Sequence, residues 1–173
     1  HHAYEMRFFQ VITSEVDAVD AGDAHSLILK EDGSVWAAGL NDYGQLGDGT
    51  YIARSMFGRV MPSGAMAVAA GGSHSMVLKQ DGSVWVTGWN KFGQLGDGST
   101  KDKTVYAQVV SSGAKAVAGG RQHSMMLMQD GSVWATGYNA YGQIGDGTII
   151  SRENFVQVIF CLLYTSQSPR DQR

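Results

Sequence analysis

The sequence HSLILKEDGSVWAAG, residues 25–39, decides the fold of this chain. Two apolar runs are joined here by Glu-Asp-Gly, and Asp-Gly between two such runs is a strong short-range signal for a β-hairpin. Because glycine tolerates a positive φ angle, we predict a type I′ turn at Asp32 and Gly33. The first run is apolar on both faces, which predicts a strand that is covered on both sides, as in sheets that stack face to face.

The same segment recurs twice at an interval of 49 residues. Residues 18–49, 67–98 and 116–147 align without a gap and are identical in all three copies at 18 of 32 positions. Six glycine positions of this alignment, each used three times, supply 18 of the 23 glycines. Four short strands in about 40–50 residues are typical of a β-propeller blade. We therefore predict an all-β fold of about three four-stranded antiparallel blades, forming an open arc of a propeller.

The rest of each copy consists of a glycine-rich segment followed by a variable one. The segment 41–50 is too rich in glycine for a strand interior, so it predicts compact turns. A variable stretch, 51–59, then leads to a short strand near Val60, and another is expected at Ala67 and Val68. No helical period of comparable strength is present.

Composition narrows the function classes. The chain has 173 residues, one cysteine and a formal net charge of −3. A single cysteine excludes an intramolecular disulfide framework and a cysteine-rich zinc site, and the weak net charge does not indicate a nucleic-acid or membrane partner. No apolar run reaches the ~18 residues of a membrane span, and no basic-then-apolar leader opens the chain, which favours the cytoplasm or the nucleus.

Three motifs of the repeat resemble those of the regulator of chromosome condensation repeat family. They are Ala-Gly-x-x-His-Ser (21–26), Asp-Gly-Ser-Val-Trp-x-x-Gly (32–39) and Asn-x-x-Gly-Gln-Leu-Gly-Asp-Gly (41–49). The resemblance covers about residues 8–158, and the third copy departs from it slightly, for example at Ile144. It implies a seven-bladed propeller that serves as a protein-binding platform. The founding member of the family is a guanine-nucleotide exchange factor for a small nuclear GTPase that docks on chromatin.

Three repeats are fewer than the four to eight blades with which propellers close, so we expect the chain to be a fragment of a longer propeller. We divide it into an N-terminal edge with a partial repeat (1–17), a first repeat (18–66), a second repeat (67–115), a third repeat with the start of a fourth (116–158) and a non-repeat tail (159–173). The tail matches nothing upstream, and we expect it to be non-native or disordered.

The side chains that recur in every copy are predicted to form the blade framework. Equivalent histidines of successive blades are spread around an axis and do not converge at the ~2 Å of a metal–nitrogen bond, so each is predicted to bond to a neighbouring backbone carbonyl. The tryptophans supply one large packing group per blade, and the aspartates of Gly-Asp-Gly are predicted to bond to their own turn. The framework residues are His25, His74, His123, Trp36, Trp85, Trp134, Gly33, Gly82 and Gly131.

Positions that differ among the copies are where blades could acquire a specific partner. Leu40, Trp89 and Tyr138 share one such position, just past the second strand of the hairpin. Aromatic and arginine side chains are favoured as interface anchors. The candidate partner-binding residues are Trp89, Arg121, Tyr138, Lys91 and Asp42.

These features predict a non-enzymatic protein–protein interaction module. No Walker A, nucleophile-elbow or EF-hand motif occurs in the sequence, so no catalytic residue, cofactor or metal is predicted. One alternative is part of a guanine-nucleotide exchange factor for a small GTPase, which rests on the family resemblance alone. A second is a scaffold region of a larger multidomain ligase or kinase. The identity of the protein partner stays open, and direct binding to nucleic acid or to a membrane is not predicted.

Overall fold

The structure, a computed structural model, describes residues 15–159 of the chain. This part contains twelve β-strands and no helix, so the prediction of an all-β fold is confirmed, and it offers no helix that could cross a membrane. The predicted N-terminal edge and tail lie almost entirely outside the described residues. The strands are β1 (Val16–Ala21), β2 (His25–Lys30), β3 (Val35–Gly39), β4 (Arg54–Met61), β5 (Ala65–Ala70), β6 (His74–Lys79), β7 (Val84–Gly88), β8 (Lys103–Val110), β9 (Ala114–Gly119), β10 (His123–Met128), β11 (Val133–Gly137) and β12 (Arg152–Ile159).

The strands form three four-stranded antiparallel sheets, in the orders β1-β2-β3-β4, β5-β6-β7-β8 and β9-β10-β11-β12. We call these sheets blades 1, 2 and 3. Equivalent strands keep the same register, since His25 pairs with Gly39 in blade 1 and His74 pairs with Gly88 in blade 2. Three four-stranded antiparallel blades are therefore present, as predicted. Residues 152–159 are the outer strand of blade 3.

The hairpin between β2 and β3 has a three-residue loop instead of the predicted type I′ turn. The Lys30 N–H donates to the Ser34 carbonyl at 3.0 Å, and the Gly33 N–H donates to the Lys30 carbonyl at 2.9 Å. Gly33 has a φ of +76°, but Asp32 does not have a positive φ, as expected for a type I turn followed by a left-handed glycine. The type I′ prediction was wrong because the Asp32 carboxylate accepts the Ser34 N–H at 2.8 Å and fixes the other conformation.

The fourth strand of each blade is eight residues long and begins at a basic residue, so it is longer than the short strand that the sequence predicts. In blade 1 the Arg54 Nε donates to Asp48 Oδ2 at 2.6 Å, and in blade 2 the Lys103 Nζ lies 2.8 Å from Asp97 Oδ2. Asp48 also accepts the N–H of Thr50 at 2.9 Å. This ion pair at the start of the strand extends the regular structure into the variable stretch.

The apolar core lies between the blades. The first strands β1, β5 and β9 are neighbours, and the second strands β2 and β6 contact the first strand of the following blade. Leu29 and Val35 of blade 1 cluster with Val77 of blade 2, and Met76 of blade 2 clusters with Met126 of blade 3. Each strand that is apolar on both faces is thus placed where sheets stack, which explains its pattern.

Candidate protein-interaction surface

Two loops lie side by side at the same end of each blade. The Leu40 N–H donates to the Ala24 carbonyl at 2.8 Å, and the Trp89 N–H donates to the Ser73 carbonyl at 2.9 Å. These bonds join the segment after the third strand to the loop between the first and second strands. We call this end of the three blades the loop rim. The β2–β3 hairpin and its equivalents lie at the opposite end of the blades.

A fully buried asparagine organises the longer loop of each blade. The Asn41 Oδ1 accepts the N–H of Leu46 at 3.0 Å, and the Asn41 Nδ2 donates to the carbonyls of Thr50 and Ile52 at 3.0 and 3.2 Å. The equivalent asparagines of blades 2 and 3 make the same bonds. We call the loop from 41 to 49, and its equivalents, the clasp. This asparagine therefore holds the clasp from within, together with Gln45, whose side-chain oxygen accepts the Tyr43 N–H at 3.0 Å.

The clasp of each of the first two blades also binds the blade that follows it. The Thr87 Oγ1 of blade 2 donates to the Gly44 carbonyl at 2.9 Å, and the Ser75 Oγ donates to the Gln45 carbonyl at 2.7 Å. A Cβ atom at Gly44 would lie 2.6 Å from the carbonyl oxygen of Lys103, so glycine alone fits this close approach. The clasp of blade 2 makes the same contacts with blade 3.

A buried histidine bonds each of the first two blades to the next. The His25 Nε2 lies 2.9 Å from Ser75 Oγ, and the His74 Nε2 lies 2.8 Å from Ser124 Oγ. The partner is a serine hydroxyl and not the predicted backbone carbonyl. Because the Ser75 hydroxyl already donates its proton to Gln45, the His25 Nε2–H must donate to it. Burial, together with the neighbouring histidines, lowers the pKa of His74 to about 3, so this ring is neutral at pH 7.

The framework tryptophans are half-buried and use their polar atom inside their own blade. In each case the indole Nε1–H donates to the serine two positions earlier, at 2.9–3.0 Å. Lys79 Nζ lies 4.1 Å from the ring centroid of Trp85, which covers one exposed face with a cation. The tryptophans concerned are Trp36, Trp85 and Trp134.

The hairpin glycines Gly33, Gly82 and Gly131 all have φ between +76° and +84°.

Five aromatic side chains form a continuous row along the loop rim and cross all three blades. Ring centroids are 5.5 Å apart from Tyr43 to Trp89, 5.5 Å from Trp89 to Phe92, 4.7 Å from Phe92 to Tyr138 and 6.1 Å from Tyr138 to Tyr141. Successive ring planes are inclined by 39°, 79°, 53° and 74°, so the rings present alternating faces and edges. We call these five residues the aromatic row.

Three of the five candidate partner-binding residues lie in or beside the aromatic row. Trp89 and Tyr138 are members of it, and Lys91 is exposed with its Nζ 5.8 Å from the neighbouring Phe92 ring centroid. The other members share a position that is aromatic in every copy, so they do not stand out among the positions whose chemical character differs between copies. An aromatic residue at every 49th position was the signal that could have found them. The members of the row that are not among the candidates are Tyr43, Phe92 and Tyr141.

The other two candidates do not pack into the row. The Arg121 Nε lies 3.2 Å from the Asp23 Oδ2, so this exposed ion pair joins the loops between the first and second strands of blades 3 and 1. It passes over Gly72 of blade 2, where a Cβ atom would lie 2.6 Å from the Arg121 carbonyl oxygen. Asp42 is exposed and directly precedes Tyr43 in the chain. Between residues 15 and 159 no cluster of three histidine, cysteine, aspartate or glutamate side chains could hold a metal ion.

Solved structures share this fold. Prp20p from Saccharomyces cerevisiae is 22% identical to this chain with a TM-score of 0.75, and the match covers 85% of this chain and 39% of Prp20p. Human WBSCR16 is 24% identical with a TM-score of 0.74, and the match covers 87% of this chain and 39% of that protein. The chain thus spans about two fifths of the length of these solved structures. No curated protein matches it in sequence.

Family models match the repeats directly. A model described as the Regulator of chromosome condensation (RCC1) repeat matches residues 32–78 and 81–127, which is more than half of the chain. A second model of the same description matches residues 16–45, 67–94 and 114–143. The matched segments follow the interval that separates the three blades. The chain therefore belongs to the Regulator of chromosome condensation (RCC1) repeat family.

Proposed function

We propose that this chain is a protein-interaction module that binds its partner on the loop rim and catalyses no reaction itself. The observation that carries the proposal is the aromatic row. Large exposed rings in a contiguous patch are characteristic of interaction sites, because their burial on binding releases much apolar surface at a low cost in side-chain entropy. Trp89 and Tyr138 would act as anchors, with Asp42, Lys91 and Arg121 as the polar surroundings of the site.

The support beneath the row suits recognition without chemistry. The clasp uses its asparagine, aspartate and backbone groups in hydrogen bonds within the blade and to the following blade. Such a scaffold holds surface side chains in fixed positions and lowers the entropy lost on binding. The most buried titratable group of the repeat, His74, is committed to Ser124. We therefore assign the polar framework to structure and the variable rim to the partner.

The solved relatives support a protein as the partner class. Prp20p is described by its binding properties to Gsp1p and histones, and yeast RCC1 (Prp20) has been solved bound to Kap60. Those partners belong to those proteins, and this chain spans less than half of them. What we carry over is the use of the propeller as a protein-binding surface. Exchange activity on a small GTPase would be a specialised form of the same function.

Site-specific photo-crosslinking tests this proposal. A photoreactive phenylalanine analogue would replace Tyr141 on the loop rim and, as the matched control, Gln129 at the opposite end of the same blade; both residues are exposed. We expect reproducible protein adducts from position 141 in extracts of the source organism and none from position 129. Adducts only from position 129, or the same adducts from both positions, would contradict the assignment of the rim.

A further inference from the structure

The aromatic row is partly open to solvent and has an exposed ring at each end. Tyr141 is 88% exposed and Tyr43 is 37% exposed, while the three rings between them are half-buried. Because every ring contacts the next, a ligand that binds one ring can continue along the others from blade 1 to blade 3. The row is therefore shaped for an extended ligand that runs across the blades.

The row also carries hydrogen-bond donors that the fold does not use. The framework tryptophans donate their indole N–H to a serine, but within residues 15–159 the Trp89 Nε1–H makes no hydrogen bond. The hydroxyl groups of Tyr43, Tyr138 and Tyr141 are likewise without a partner in this part of the chain. A ligand for this surface should offer acceptors at intervals along its backbone.

Charge gives the row little preference for an ionic ligand. The three residues that directly precede Tyr43, Phe92 and Tyr141 carry a negative charge, a positive charge and no charge, respectively. The negative and the positive charge cancel. A strongly acidic or basic peptide would therefore find no complementary potential on the row itself. These three residues are Asp42, Lys91 and Ala140.

We propose that the aromatic row binds a proline-rich segment of a partner protein in the polyproline II conformation, a proposal that rests on the function assigned above to the loop rim. Pyrrolidine rings pack against the faces of aromatic side chains, and two consecutive ring steps, each of 4.7–6.1 Å, are comparable to one polyproline II turn of roughly 9 Å. The carbonyls of such a helix have no internal partner, so they accept from the indole and phenol donors of the row. Its preformed backbone also loses little entropy on binding.

A peptide titration of the whole 173-residue chain tests the inference. The probe is decaproline, and the comparison ligands are a glycine–serine peptide of equal length and cellohexaose. Binding is measured by calorimetry. We expect decaproline to bind and the glycine–serine peptide to give no signal. Failure of decaproline to bind, or preferential binding of the oligosaccharide, would overturn the proposal.

The chain offers its own matched variants for this titration. Trp89→Leu introduces the side chain that blade 1 already has at the equivalent position, Leu40, so the fold should tolerate it. We expect it to weaken decaproline binding about tenfold or more, and Tyr141→Ala, at an exposed ring, to weaken it several-fold. Tyr51→Ala removes an exposed tyrosine outside the row and should leave binding unchanged. Equal affinity of all four proteins for decaproline would refute the proposed site.

The two proposals fail in distinguishable ways. Protein adducts at position 141 without decaproline binding would refute the polyproline inference and leave the loop rim as the binding surface. Absence of adducts at position 141, together with absence of peptide binding, would refute both.

Discussion

At the scale of the single residue, equivalent glycines have different surroundings in different blades. Gly44 and Gly142 occupy equivalent clasp positions and have φ angles of +78° and +75°. A Cβ atom at Gly44 would meet the backbone of blade 2, whereas a Cβ atom at Gly142 would meet nothing within 4 Å. Both positions thus require a left-handed backbone, but only Gly44 is closely approached by the backbone of the following blade.

Comparing Gly44→Ala with Gly142→Ala separates these two effects. A left-handed φ costs an L-residue roughly 1–2 kcal/mol, so we expect both variants to lose about this much. Gly44→Ala should lose a further ~1–3 kcal/mol, because the Lys103 carbonyl is backbone and cannot swing aside. Urea denaturation of both variants measures the free energy of unfolding. Equal losses would show that the approach of blade 2 is not tight.

A second prediction at this scale concerns His74 and pH. Its pKa falls from 6.5 in the unfolded chain to about 3 in the buried site, and burial lowers the pKa of His25 and His123 in the same direction. The unfolded chain therefore binds protons that the fold excludes, so this stability is complete above pH 6.5 and decreases as the pH falls towards 3. Each unit below pH 6.5 should cost up to about 1.4 kcal/mol for His74.

Denaturation at pH 7.0 and pH 5.0 measures this loss. His74→Gln keeps an N–H donor for Ser124 but does not titrate, so its stability should depend less on pH in this interval. The hairpin aspartates do not interfere, because hydrogen bonds from serine hydroxyls lower their pKa below the ordinary 3.8. An unchanged pH dependence in the glutamine variant would exclude His74 as the source.

At the scale of the element, the sequence was sufficient to predict where the strands lie and that the second and third strands of each blade form a hairpin. The apolar runs around Asp32 and Gly33 predicted the hairpin, and the repeat placed it in every blade. The turn type was missed because the Asp32 carboxylate accepts the Ser34 N–H two residues later, an Asx-type bond that stabilises the three-residue loop. The length of β4 was missed because it depends on the ion pair of Arg54 with Asp48.

The contact between blades depends on a serine hydroxyl that serves two partners. Ser75 accepts from His25 and donates to the Gln45 carbonyl, whereas Ser26, at the equivalent position of blade 1, makes no side-chain hydrogen bond within residues 15–159. We expect Ser75→Ala to lower the free energy of unfolding by about 2–4 kcal/mol, since it leaves two buried polar groups unpaired, and Ser26→Ala to lower it by less than about 1 kcal/mol. Thermal or urea denaturation provides the comparison. Similar losses in both variants would mean that the hydroxyl does not join the blades.

At the scale of the whole molecule, the aromatic row belongs to no single blade. Trp89 and Tyr138 could be selected from the sequence because they vary between copies. The contacts of Trp89 with Tyr43 and of Tyr138 with Phe92 arise only when the blades stand side by side. The sequence also could not show that Arg121 would bond to Asp23 across an intervening blade. Sites of this kind follow from the spacing of the blades, which no local pattern encodes.

The position of a blade in the arc should also govern its stability. The second strand of blade 2, β6, is buried at five of its six residues, whereas β10 of blade 3 is mostly half-buried although it has the same strand register. Local opening exposes amides more readily where fewer apolar contacts hold them. In hydrogen–deuterium exchange with mass spectrometry, we expect peptides from 74–79 to exchange at least about tenfold more slowly than those from 123–128. Equal protection would indicate that the blades open together.

The forward direction of the clasp has a consequence for how such proteins arise. Because the clasps of blades 1 and 2 each reach the next blade, one 49-residue unit encodes both halves of the contact between neighbours. If a gene segment of this length were duplicated in tandem, the clasp of the preceding blade would contact the new blade. The clasp of the new blade would in turn contact the blade that follows, so no compensating mutation would be needed. Copy number is then free to change, while single substitutions on the rim diversify recognition. Leu40, Trp89 and Tyr138 are three different side chains at one such rim position within a single chain.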